Sequence, residues 1–154
     1  MIVTYTNGTT DIGSWQREVP AAGQKTASVR QNLTLLVDHG HSAPSTDCIS
    51  CWGATLGGVA DPARAAVGIT ANGHLVWAAG EHLTPAALAE ALLQAHALRA
   101  VELDINPDWV AGFLYAHHSL RGRPVPLPVL DGQTTIPGDY LTPWSRDFFT
   151  IVAR

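Results

Sequence analysis

Residues 63–105 read ARAAVGITANGHLVWAAGEHLTPAALAEALLQAHALRAVELDI. Two apolar runs, ARAAVGIT and HLVWAAG, flank Ala71-Asn72-Gly73, where Asn and Gly tolerate the positive backbone angles of a tight hairpin turn. A helix follows directly. Thr84 can cap its N-terminus and Pro85 suits the first helical position. Leu88, Ala91, Leu92 and Ala95 fall at helical spacing on one face of TPAALAEALLQAHAL. The strand RAVELDI comes next. Strand, turn, strand, helix, strand in immediate succession admits few architectures: the helix must bury its apolar face on the sheet that the hairpin starts. If HLVWAAG and RAVELDI lie parallel in that sheet, the crossover between them should be right-handed.

The rest of the chain supplies more strand than helix. Ile2-Val3-Thr4-Tyr5 is β-prone, Asn7-Gly8 is a hairpin turn, and TTDIGSW can return as its partner. A further strand is expected at Leu33 to Val37. GHSAPSTDCISCWG reads as a loop, RGRPVPLPVLDG as an extended Pro-rich loop, and RDFFTIVAR as a terminal strand. No internal repeat is visible. The fold class is therefore α+β, a mixed, largely antiparallel sheet with one principal helix packed on it. At 154 residues the chain is expected to form a single domain over 1–154. Because it opens inside strand-like sequence, it also reads as the C-terminal part of a longer domain.

Charge restricts the partners. The formal net charge is −4 and no Lys/Arg cluster occurs beyond Arg121 and Arg123, which argues against nucleic acid. No apolar run is long enough for a transmembrane segment, and MIVTYTNGTT carries no signal peptide features. On that reading alone the chain is cytoplasmic. The sequence leaves the oligomeric state open, and no metal or cofactor is expected.

Charged residues (DEKR) make up only 14% of the chain, yet RAVELDINPDW places three carboxylates close together. Strand alternation would point Val101, Leu103 and Ile105 into the core and Glu102, Asp104 and Asn106 the other way. Carboxylates two residues apart on a strand lie roughly 6.5–7 Å apart by their Cα atoms. They repel unless water, a cation, an Arg or a shared proton relieves them. Paired carboxyls serve glycosidic cleavage as acid and as base or nucleophile, or hold a cation for phosphate chemistry. An Arg-paired strand face without chemistry is the plainer alternative. Asp108, past Pro107, reads as a turn residue.

Several other residues carry chemistry. Arg64, heading its strand, could bind a phosphate or sugar acid, hold Asp104 ionised, or form a structural salt bridge. His39, His41, Cys48 and Cys51 are zinc-type ligands at H-x-H and C-x-x-C spacing. Redox chemistry at the C-x-x-C would need a helix, whereas CWGATLGG is glycine-rich. Otherwise the two cysteines are free or locally bridged. His117-His118 could exchange protons or simply face solvent. Trp52 and Trp109 flank loops near the carboxylates and could stack on a sugar ring, or pack in the core.

From about Val29 onward the chain resembles the phosphodiester glycosidase domain family, which includes the enzyme that removes N-acetylglucosamine from a phosphodiester on lysosomal glycoproteins. Arg64, Ala66, Val67 and Gly68 match the family's arginine strand, and Asn72-Gly73 its turn. Leu103 and Asp104 match the L-D of its closing strand motif. WGATLGG, SRDFF and the ELDIN ending are similar to actinobacterial branches. The family's glycine run after the Asp is replaced by Ile105-Asn106-Pro107, and its Asn by Glu102. The resemblance implies a glycosidase-like hydrolase acting on a sugar-phosphodiester or other glycosidic bond of a cell-envelope carbohydrate, secreted or held at the envelope. Asp104 and Glu102 are the candidate catalytic residues, and Arg64, Asn106, Trp52 and Trp109 the candidate substrate-binding residues; of these the resemblance covers Arg64 and Asp104. The lost glycine run favours the alternative: a non-catalytic carbohydrate- or envelope-binding module, or a fragment, of the same fold.

Overall fold

The structure, a computed structural model, describes residues 1–32, 34–43, 48–53, 59, 61–116, 122, 124–143 and 148–152. The chain divides into two compact units, Met1–Val110 and Ala111–Arg154.

In the first unit, β1 (Ile2–Tyr5) is the middle strand of a three-stranded antiparallel sheet, flanked by β2 (Thr10–Ile12) and β3 (Thr26–Arg30). A five-stranded sheet contains β4 (Leu35–Asp38), β5 (His41–Ser42), β6 (Arg64–Thr70), β7 (Leu75–Gly80) and β8 (Ala97–Asp104), in the order β5-β4-β8-β6-β7. Every pairing between these strands is antiparallel. β7 and β8 do share a sheet and run parallel, with β6 between them.

The one α-helix among the described residues, α1 (Pro85–Gln94), begins where the sequence places it. Thr84 Oγ1 accepts a hydrogen bond from Ala87 N at 3.1 Å, and Pro85 follows in the first turn. It ends earlier than the apolar spacing suggested. The Ala95 and His96 amides donate back to Ala91 O and Leu93 O, and His96 turns left-handed at φ 61°. Ala97 and Leu98 therefore already belong to β8.

The five-stranded sheet is covered on both faces. On one, Leu88, Ala89 and Leu92 of α1 pack with Leu36, Val37, Ala66, Ala97, Ala100 and Trp52. On the other, Ile2 and Ile12 of the small sheet meet Ile69 and Val101, with Leu35, Val67 and Leu103 beside them. Each of these large apolar side chains gains about 1.5–3 kcal/mol from leaving water. Val3 and Tyr5, on the far side of the small sheet, are covered by Val19.

Register shifts interrupt β8. Between Ala66↔Glu102 and Ala65↔Asp104 the strand carries one extra residue, Leu103; near its start Leu98 is likewise extra. Such bulges re-aim the side chains that follow.

In the second unit, β9 (Phe113–Ala116) pairs antiparallel with β10 (Val125–Pro128). RGRPVPLPVLDG is thus not wholly loop. Proline is tolerated here because a two-stranded ribbon consists only of edges. Phe113, Tyr140 and Phe148 form a chain of ring contacts, and Tyr115 Oη donates to Pro137 O at 2.8 Å. The expected terminal strand does not form across Phe148–Val152, whose residues are largely exposed.

Candidate functional site

The candidate residues converge where β6 and β8 run side by side. Ala66 lies opposite Glu102 and Ala65 opposite Asp104. Directly opposed residues share a face, and successive residues alternate. Glu102 therefore faces α1 with Ala66, whereas Asp104 takes the opposite face with Ala65. The expected common face for the two carboxylates is not formed, because the bulge at Leu103 resets the alternation. Leu103 packs toward the small sheet, as its apolar character requires.

Among the described residues of this unit, Arg64 and Glu102 are the buried charged ones, each with a side chain at 0% exposure. Arg64 Nη1 donates to Glu102 Oε1 at 2.6 Å, and Nε donates to Leu83 O at 2.7 Å. That carbonyl is delivered by the turn between β7 and α1, itself tied down where Leu83 N donates to Pro62 O at 3.1 Å. Asn32 Nδ2 reaches over to Glu102 O at 3.1 Å. Arg64 Nη2 and Glu102 Oε2 are buried with no hydrogen-bond partner among the described residues. Burial pushes the Glu102 carboxyl above its ordinary value. The Arg64 hydrogen bond and charge oppose that rise, and Asp104 adds slightly to it.

Asp104 is half-buried and does a different job. Its Oδ1 accepts from Asn106 N at 2.8 Å, and Asn106 Oδ1 accepts from Asp108 N at 3.0 Å. Asn106 O then takes the amides of Trp109 and Val110. These bonds turn the chain out of β8 and past Pro107, which can donate none of its own. Asp108 is exposed in that turn, as its position after the proline suggested. Trp109 is half-buried and Val110 buried.

Of the six candidate residues, Asp104, Asn106 and Trp109 thus sit together in one turn, and Arg64 and Glu102 form a sealed pair. Trp52 stands apart: it is fully buried in the core between α1 and the sheet, which removes it as a substrate-stacking residue. A short 3₁₀ turn, Ile49–Trp52, carries it there. Cys48 and Cys51 are bridged to each other, which decides between the open alternatives for that pair and leaves no thiolate for zinc. His117 and His118 lie outside the described residues.

Two features were not anticipated. A groove of about 330 Å³ runs between the small sheet and the β6–β7 turn, lined in part by Tyr5, Thr10, Asp11, Thr70 and Arg99. It lies at the start of β8, about five residues or 16 Å from Asp104 by the strand rise. Arg99 also anchors an ion cluster. Its Nη2 lies 2.8 Å from Glu18 Oε1 and 3.3 Å from His39 Nε2, and His39 Nδ1 lies 2.8 Å from Asp38 Oδ1. Glu18, Asp38 and His39 have metal-type ligand atoms within 4.8 Å of one another, but the Arg99 guanidinium already supplies the positive charge among them. Contacts between positions so far apart in sequence leave no local pattern to read.

Comparison with protein-family models, curated proteins and solved structures returned no match. No helix among the described residues is long and apolar enough to cross a membrane.

Proposed function

We propose that this chain is a non-catalytic carbohydrate- or envelope-binding module. One observation carries the choice over hydrolysis: the Arg64–Glu102 pair is sealed from solvent and engaged with itself. The arginine that would grip a phosphodiester is consumed, and so is one of the two carboxyls a glycosidase needs. What stays accessible is the turn at the end of β8, where Asp104, Asn106 and Trp109 offer a carboxylate, an amide and an indole. That combination suits a sugar, whose hydroxyls pair with polar groups and whose ring packs on an aromatic face. The sugar class itself comes from the resemblance to phosphodiester glycosidase domains, as does placement at the cell envelope.

The second reading, a hydrolase cleaving a sugar-phosphodiester or another glycosidic bond, is favoured by Asp104 alone. It is partly accessible at a strand end that follows a crossover helix, a common address for catalytic groups. Titration calorimetry of the purified protein with cell-envelope glycans, beside turnover assays on aryl glycosides and sugar-phosphodiesters with and without chelator, separates the two. The module reading expects binding without turnover, weakened roughly tenfold by Trp109→Ala, about 1.4 kcal/mol. Turnover that Asp104→Asn abolishes would establish the hydrolase instead.

A further inference from the structure

β7 is the outermost strand of the five-stranded sheet, and its free side is unusually well suited to pairing. Its sequence is LVWAAG, six residues with no charge and no proline. Natural edge strands are commonly blunted by a lysine, a proline, a bulge or shortness. β7 has none of these, and its register with β6 runs without interruption from Ile69↔Leu75 to Arg64↔Gly80.

The phase of that ladder says which backbone groups are free. Thr70 N donates to His74 O at 2.9 Å, so Thr70 and His74 form a hydrogen-bonded pair. In an antiparallel ladder such pairs alternate with non-bonded ones. Val76, Ala78 and Gly80 therefore spend their amides and carbonyls on β6, while Leu75, Trp77 and Ala79 point theirs outward. None of those three has a hydrogen-bond partner on that side among the described residues. Leu75 is 37% exposed and the rest of the strand half-buried.

We infer that this edge pairs with a second copy of the same chain, β7 against β7, joining two five-stranded sheets across a two-fold axis. Antiparallel pairing of identical strands puts that axis normal to the sheet, so each residue must face one on the same side of its own sheet. The register centred on Ala78 meets this condition. It sets Trp77 of one copy opposite Ala79 of the other, and Val76 opposite Gly80. Bulky residues meet small ones, and Ala78 meets itself at the axis. Trp77 and Ala79 are both outward-bonding residues, so their amides and carbonyls satisfy one another. The charges fit as well. Glu81, the one formal charge flanking the strand, falls opposite Leu75, next to His74, and no two formal charges of like sign face each other. A fully uncharged edge of self-complementary size favours a copy of itself over an unrelated strand.

Sedimentation equilibrium across about 1 μM to about 1 mM, the span in which small interfaces form, should show the mass rising from one chain toward two. Hydrogen exchange over the same series should slow at the amides of Leu75, Trp77 and Ala79 as the dimer fills. Ala79→Pro removes an outward donor without touching a β6 bond, and Ala79→Lys places a charge on the edge. Both should hold the protein monomeric, with circular dichroism confirming that each remains folded. A monomer at every concentration overturns the proposal. So does a dimer whose β7 amides exchange as fast as in the dilute protein, or an edge protected only when an extended apolar peptide is added.

Discussion

At the scale of single residues, the buried Arg64–Glu102 pair dominates the energetics of the candidate site. Removing one partner leaves the other charge unpaired in the core, a loss of about 3–5 kcal/mol, whereas replacing both with apolar residues of similar volume is close to neutral. Glu102→Ala should therefore lower the urea midpoint sharply, and Arg64→Met combined with Glu102→Leu should restore most of it. The pair also has a pH signature. The Glu102 carboxyl is raised by burial, so between its ordinary value and its folded value the native state holds more protons than the unfolded state. Its contribution is thus most favourable at acid pH and is lost as pH rises through that window. Denaturation of the wild type and Glu102→Gln across a pH series should show the difference shrinking with rising pH; a growing difference would refute it. Much of this was legible in outline, since the presence of Arg64 and Glu102 on neighbouring strands follows from the hairpin and the helix crossover. The identity of the partner was not. Arg64 was read as a ligand for a phosphate or sugar acid, a partner for Asp104 or a structural salt bridge, and a one-residue bulge that no local pattern announces turned Asp104 to the other face and left Glu102 beside Arg64. Trp52 was left open between ligand stacking and core packing for a related reason: a tryptophan in a glycine-rich loop looks free to face a ligand, and only the assembled core shows where so large a side chain is covered.

At the scale of elements, those stabilised by short-range chemistry were predictable. Gly8 and Gly73 turn with positive φ where Asn-Gly marked them, and Thr84 caps α1 as its place before Pro85 implied. The β9–β10 ribbon was missed because prolines usually argue against strands, and β3 because its partner lies at the chain's start. One close approach between elements is directly testable. A Cβ on Gly68 would come within 2.9 Å of Ala97 Cβ and 3.2 Å of Arg99 O, so β6 and β8 cannot accommodate it unshifted. Gly68→Ala should destabilise by about 1–3 kcal/mol, as overpacking does. An unchanged melting temperature would mean that β8 moves freely there.

At the scale of the whole molecule, the three apolar clusters all lie within Met1–Val110. A chain ending at Val110 should therefore fold alone and unfold in a single cooperative step with the helical signal retained; a broad, non-cooperative melt would show that it depends on residues 111–154. The doubly covered five-stranded sheet has a further consequence. Its two sides are separate chemical compartments, and Leu103 decides which compartment the end of β8 addresses. Deleting Leu103 would close the bulge and leave Asp104 opposite Ala65, still across the sheet from Glu102. Only an extra residue on β6, paired with Leu103, would regularise the ladder and bring Asp104 round to the Glu102 side, so a two-carboxylate centre is one insertion away, and on the neighbouring strand.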